Sequence, residues 1–126
     1  DARRWRKMLG GGMRQAGIVA AAGISALNDN IKRLEEDHNN ALTLAEGLAS
    51  IDEITFDTES VQTNMVFVPI EKNTSTELQN FLQGYGIIIN KIGSDGTIRL
   101  VTHLDITEKD ILLIIKRVKQ FFYNNV

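Results

Sequence analysis

Hydrophobic and polar positions change their spacing several times along the chain, and each change marks an element. Residues 1–9 can be helical but are short and strongly basic, and Gly10, Gly11 and Gly12 break the pattern. Residues 13–28, MRQAGIVAAAGISALN, form the next helix candidate. From Ile18 to Leu27 it is apolar or small nearly all the way round, and such a helix is normally buried on every side. Asn28–Asn30 is capping chemistry for a helix over about residues 31–49, where Ile31, Leu34, His38, Ala41, Ala45 and Leu48 follow helical spacing. The pattern then becomes alternating. EITFD (53–57) and TNMVFVPI (63–70) read as strands. Thr74 with Glu77 makes a capping box for a helix over 75–84, with Leu78, Phe81 and Leu82 as its buried stripe and GYG as its end. IIIN (87–90) reads as a buried strand, GSDG (93–96) as a turn, and TIRLVTH (97–103) as the returning strand. Thr107 and Asp110 open a last helix with Ile111, Ile114, Ile115, Val118 and Phe122 facing inward.

From residue 30 onward the order α-β-β-α-β-β-α predicts an α/β (α+β) domain, an antiparallel or mixed sheet of about four strands with helices on one face. Residues 1–29, the glycine loop and the apolar helix, fall outside that unit, so the division expected is 1–29 and 30–126. A chain of 126 residues has difficulty surrounding an all-apolar helix by itself. It also opens on Asp1 with a charged stretch and no preceding core. Both features read as a piece of a longer protein.

Composition narrows the function classes. Apolar residues make up 43% and charged residues 24%, with a net charge of −2, which excludes a general nucleic-acid binder. The charge is uneven: Arg3, Arg4, Arg6, Lys7 and Arg14 crowd the front. There is no cysteine, hence no disulfide framework and no thiolate metal site, which fits a reducing, cytoplasmic setting. No apolar run reaches membrane-spanning length and nothing at the front reads as a secretory signal.

Two places carry candidate chemistry. The glycine loop ends where the apolar helix is expected to begin, so free backbone N–H groups and the positive end of the helix dipole favour an anion there. Arg14, expected in the first turn, brings a planar fork suited to phosphate, and Lys7 a mobile charge. Spacing alone favours a flexible linker followed by a solvated basic turn, since short glycine motifs have many false positives. Arg99 sits mid-strand in TIRLVTH, where Ile98 and Leu100 point to one face and Arg99, Val101 and His103 to the other. It can clamp a carboxylate with two hydrogen bonds, or simply face solvent. His38 on the apolar face reads as a structural histidine. Neither it nor His103 has partners at metal-ligand spacing, so no metal site is expected. There is no nucleophile elbow and no pair of catalytic carboxylates, and Trp5 among arginines is weak as a base-stacking site.

Four stretches, taken in order, resemble a known family: RRWRKMLGGGMRQAGIVAAAGISAL (3–27), RLEEDHNNALTLAEGL (33–48), QTNMVFV (62–68) and IRLVTHLDIT (98–107). The chain resembles, over essentially its whole length, the C-terminal part of low-specificity L-threonine aldolases. The resemblance implies the small C-terminal domain of an aspartate aminotransferase-like fold, preceded by an interface helix of the large domain. It implies a pyridoxal 5′-phosphate (PLP)-dependent lyase of amino-acid metabolism that splits L-threonine and L-allo-threonine into glycine and acetaldehyde. It further implies a cytoplasmic homotetramer built from close dimers, with neither nucleic acid nor membrane as partner.

Carried over by position, the resemblance gives Arg14 to the PLP phosphate of a neighbouring subunit and puts Lys7, with Gly11 and Gly12, at the same shared site. Arg99 is given to the substrate carboxylate. The family's Schiff-base lysine, its pyridine-nitrogen aspartate and its preferred histidine base lie upstream of these residues, so no catalytic residue is expected within them. The segment by itself is expected to be inactive and to self-associate through the apolar helix. Two other readings are weighed: a stand-alone α/β interaction or ligand-binding module using Arg14 and Arg99 on separate anions, and another PLP enzyme such as a β-eliminating lyase.

Overall fold

A computed structural model of the chain describes residues 1–89 and 93–123. The chain divides into two compact units, Asp1–Leu34 and Glu35–Val126.

In the first unit α1 spans Ala2–Met8 and α2 spans Gly17–Ser25, followed by a wider π-helical turn over Ala26–Asn30. Helix α2 starts later than the sequence pattern predicts. Gln15 adopts a left-handed φ of 49°, which a continuous right-handed helix cannot contain, and Ala16 becomes the N-cap. Arg14 therefore precedes the helix instead of lying in its first turn. Asn28–Asn30 does not cap a new helix either: Ser25, Ala26 and Ile31 all keep right-handed dihedrals, and Asp29 is held by the Ser25 hydroxyl at 2.8 Å. No residue of 1–32 is buried.

In the second unit the order is α3 (Leu34–Ala49), β1 (Met65–Val68), α4 (Lys72–Gln83), β2 (Ile98–Val101) and α5 (Glu108–Tyr123). Among the described residues the sheet has two antiparallel strands, paired from Met65↔Val101 to Val68↔Ile98. Of the sheet of about four strands expected, two are present among the described residues. EITFD is not a strand: Ile54 is buried and Phe56 half-buried, but Asp57 ends the run by capping a 3₁₀ turn over Thr58–Ser60. Its alternation records one-sided burial, which does not require a ladder partner. Ile87–Ile89 is likewise unpaired among the described residues, and Asn90 lies outside them. β2 returns to β1, across α4, and not to IIIN.

Val66, Val68 and Ile98 point from the ladder into one core. Leu44 and Leu48 reach it from α3, Leu78 and Leu82 from α4, and Ile111, Val118 and Phe122 from α5. The inward stripe of α3 is Asp37, Asn40, Ala41, Leu44, Ala45 and Leu48, and His38 is exposed, contrary to the structural role its spacing suggests. α4 starts earlier than predicted because the Glu71 side chain, not Thr74, is the cap, accepting from Asn73 N–H at 2.9 Å and Thr74 N–H at 3.0 Å. Thr107 and Asp110 do form the predicted capping box: Thr107 N–H and Oγ donate to Asp110 Oδ2 at 2.9 and 2.6 Å. The end of α4 is tied to α5 by the Arg117 guanidinium, 4.0 Å above the Tyr85 ring, and by Phe81 against Phe121 at 5.5 Å. Among the described residues no helix is long and apolar enough to cross a membrane.

The turn before β2 is the most tightly constrained point of the second unit. Gly96 has φ +93°, and a Cβ there would run into Ile70 O and come within 2.9 Å of Lys72 N. Its carbonyl accepts from the fully buried Ser75 hydroxyl at 2.7 Å, which locks the turn onto the start of α4. Gly96→Ala should lower unfolding stability by about 2 kcal/mol or more, read from the urea midpoint, because backbone strain and a backbone clash coincide.

A second outcome concerns acid. Asp110 is held below its ordinary value of 3.8 by the Thr107 hydroxyl and then the Thr107 N–H. Glu71 is held below 4.5 by the Thr74 and Asn73 N–H groups, and Asp95 below 3.8 by the Thr97 N–H and hydroxyl. A depressed carboxyl contributes stability that is present above its unfolded-state value and lost as pH falls through the folded-state value. Stability should therefore be flat near neutrality and begin to fall below the ordinary carboxyl values. Asp110→Asn should flatten that fall in a denaturation series across pH.

Candidate functional site

The basic front of the chain is shaped by how α1 ends. Gly10 takes φ +86°, its N–H donates to Lys7 O at 3.3 Å, and the Gly11 N–H donates to Arg6 O at 2.7 Å. These two bonds form a Schellman cap, with Leu9 as the last half-helical residue. The cap folds the glycines back over the last turn of α1. A Cβ on Gly11 would lie 2.9 Å from Arg6 Cγ, and one on Gly12 would lie 3.1 Å from Lys7 Cγ. The glycine run is therefore a built turn, neither a flexible linker nor the opening turn of α2, and it brings Lys7, Gly11 and Gly12 together. Arg14 follows two residues on, in the turn that leads into α2. Ala16 supplies no side-chain acceptor to the first turn of α2, so the N–H groups there have no side-chain cap.

Arg99 belongs to the other unit. The alternation of β2 puts Ile98 inward and Arg99 outward, as the sequence predicts. Arg99 lies opposite Phe67 in the ladder, and Met65 pairs with Val101 beside it. All four side chains are exposed, so one cation stands on an open, otherwise apolar sheet face. Among the described residues, no carboxylate pairs with Lys7, Arg14 or Arg99. His103, beyond the strand end, is exposed. Its Nδ1 accepts from the Asp105 N–H at 3.3 Å and sits 3.7 Å from Asp105 Oδ2. A cavity of about 290 Å³ is lined mainly by aliphatic side chains such as Leu44, Leu78 and Ile98, and Arg99, Val101 and His103 also contribute to its lining. Among the described residues no three metal-ligating side chains cluster.

Residues 1–71 match the family model for beta-eliminating lyases. The chain belongs to the beta-eliminating lyase family. Within reach of this family member are the low specificity L-threonine aldolase of Escherichia coli (strain K12), 44% identical over 108 residues, which are 86% of this chain and 31% of the relative. Low-specificity L-threonine aldolase 1 of Arabidopsis thaliana is 40% identical over 109 residues, 84% of this chain and 30% of the relative. A second Arabidopsis thaliana protein, probable low-specificity L-threonine aldolase 2, is 34% identical over 125 residues, 96% of this chain and 35% of its own length. This beta-eliminating lyase chain thus spans about a third of the length of the curated relatives it matches.

Sequence reasoning overlooked the residues that hold the site's framework. Asn64 and Thr102 are polar at inward ladder positions, and Asp37 and Asn40 are polar on the inward face of α3. Their only signal is that they interrupt apolar patterns. Among the described residues Arg99 makes no side-chain hydrogen bond or ion pair, so Arg99→Gln should leave stability within about 0.5 kcal/mol of the original in urea denaturation. A larger loss would mean that Arg99 is part of the scaffold.

Proposed function

We propose that this chain is the C-terminal part of a PLP-dependent threonine aldolase, a carbon–carbon lyase that cleaves L-threonine and L-allo-threonine to glycine and acetaldehyde. The observation that carries this reading is the 44% identity to the Escherichia coli low specificity L-threonine aldolase over 86% of the chain. Arg99, outward and without a carboxylate partner among the described residues, supports it from the side of chemistry.

The residues at the glycine turn fit the phosphate of PLP. Lys7 and Arg14 are exposed cations without a carboxylate partner among the described residues, and Arg14 stands just before the uncapped start of α2, so a guanidinium and free helix N–H groups are available to a phosphate, with the Lys7 ammonium at the glycine turn. Gly11 and Gly12 have a second function in this reading: side chains there would displace the stems of Arg6 and Lys7 from the turn. When bound, PLP supplies the electron sink that makes cleavage of the substrate Cα–Cβ bond accessible. Arg14 and Lys7 hold its phosphate, at a site shared with a neighbouring subunit. Arg99 binds the substrate carboxylate through two parallel N–H···O bonds, which fixes the amino acid and so the direction of the breaking bond. The small domain is of the aspartate aminotransferase type, and the setting is cytoplasmic.

The exposed apolar helix favours this reading over a stand-alone module. α2 carries Ile18, Val19 and Ile24 exposed, with no buried residue, and a helix of that composition is stable in water only when something covers it. We assign that cover to the rest of the aldolase and to its subunit partners in a homotetramer. These 126 residues alone should be inactive and should self-associate on gel filtration as concentration rises. The full-length protein with PLP should release acetaldehyde from L-threonine, and Arg99→Gln should raise its KM by at least about tenfold. Turnover from the 126 residues alone, or a full-length protein with PLP that leaves L-threonine intact, would overturn the proposal.

A further inference from the structure

An arginine on the open face of a two-stranded sheet positions a carboxylate only if its strand is held in place. The restraint on β2 lies at the end of the strand. One register step beyond Met65↔Val101, Asn64 faces Thr102. The Thr102 N–H donates to Asn64 O at 2.9 Å, and the return bond comes from the Asn64 side chain, whose Nδ2 donates to Thr102 O at 2.8 Å. The Thr102 hydroxyl donates to Asp37 O in the first turn of α3 at 2.7 Å. Thr102 is 1% exposed. Further along, Asn40 Nδ2 donates to Ile106 O at 3.3 Å, so the segment leaving β2 is bonded to α3 twice.

This arrangement is more than burial requires. Ile98 and Leu100 face inward from β2, and Val66 and Val68 from β1. A valine pair at 64 and 102 would continue that apolar face. Threonine and asparagine instead supply directional bonds, whose partners stand on α3 and on the two strands. Such bonds fix the rotation of β2 about its axis and its advance along β1, both of which apolar contact leaves softer.

We propose that Asn64 and Thr102 are positioning residues for Arg99: the hydrogen-bonded clamp joining α3, β1 and β2 sets where the Arg99 guanidinium meets the substrate carboxylate. The inference rests on the reading of Arg99 as the carboxylate-binding residue. Thr102 lies three residues beyond Arg99 on the same chain and is buried, with its hydroxyl committed to Asp37 O.

The test uses the full-length protein loaded with PLP, with Thr102→Val, Thr102→Ser and Asn64→Ala. Valine keeps the shape of threonine and removes the donor. Thr102→Val should raise KM for L-threonine about tenfold while kcat changes less than about threefold, since the loss is in ground-state positioning. Affinity for glycine should fall by the same factor, while affinity for glycine amide, which has no carboxylate, should stay unchanged. Thr102→Ser, which retains the hydroxyl, should restore glycine binding. If Thr102→Val does not fold, Asn64→Ala gives the same comparison, because it removes the second donor from a half-buried position. Glycine affinity equal to the parent in the folded variants would overturn the proposal, as would equal losses for glycine and its amide. A parent protein that cleaves L-threonine while the clamp variants behave like it sinks the clamp alone. A parent protein that neither cleaves L-threonine nor binds glycine sinks the reading of Arg99 and the clamp together.

Discussion

Val66, Val68 and Ile98 are removed from water by the same set of helices, and the orientation of everything else on the ladder follows from that contact. Strand side chains alternate between faces, so committing Ile98 to the core commits Arg99 to the outside. A register slip of one residue would bury the guanidinium and expose the isoleucine. The tight turn at Gly93–Thr97 and the Ser75 hydroxyl on Gly96 O bring β2 in at the right height. The Asn64–Thr102 pair closes the other end. The chemistry of the open face is thus a by-product of packing on the closed one.

The first unit works by different physics. Its order comes from local hydrogen bonds: the Schellman cap on α1, the helical bonds of α2 and the Ser25 hydroxyl on Asp29. None of these needs a core, and no residue of 1–32 is in one. Trp5, Met8, Leu9 and Met13 are exposed around the same turn that presents Lys7, and Ile18 and Val19 follow on α2. Cations set among exposed apolar side chains suit a surface whose ligand and whose cover arrive together. The role proposed for the glycine turn, at a site shared with a neighbouring subunit, calls for such a surface.

Elements specified by neighbours in sequence were readable in advance, and elements specified by distant partners were not. Thr107 and Asp110 cap α5 because both halves of the box are three residues apart. The stripe Ile111, Val118 and Phe122 was readable for the same reason, and so was the outward Arg99. EITFD failed as a strand because alternation reports burial on one side and says nothing of a ladder partner. IIIN, read as a strand, is unpaired over Ile87–Ile89 among the described residues, and β2 pairs with β1, distant in sequence. Thr74 was displaced as a cap by Glu71, whose longer side chain reaches the Asn73 and Thr74 N–H groups from one residue before the helix. His38 turned out exposed because Asp37 and Asn40, polar residues that a search for apolar spacing passes over, occupy the inward face.

The sequence by itself determined the helical stripes, the caps made of near neighbours, the outward direction of Arg99 and the family to which these motifs point. Each depends on chemistry within a few residues or on motifs long enough to be specific. The tertiary structure decided which strands pair, that the glycine run is a cap folded onto Arg6 and Lys7, and that Thr102, Asn64 and Asp37 meet. Those outcomes depend on groups brought together from far along the chain, and on φ values and approach distances that composition and spacing do not encode.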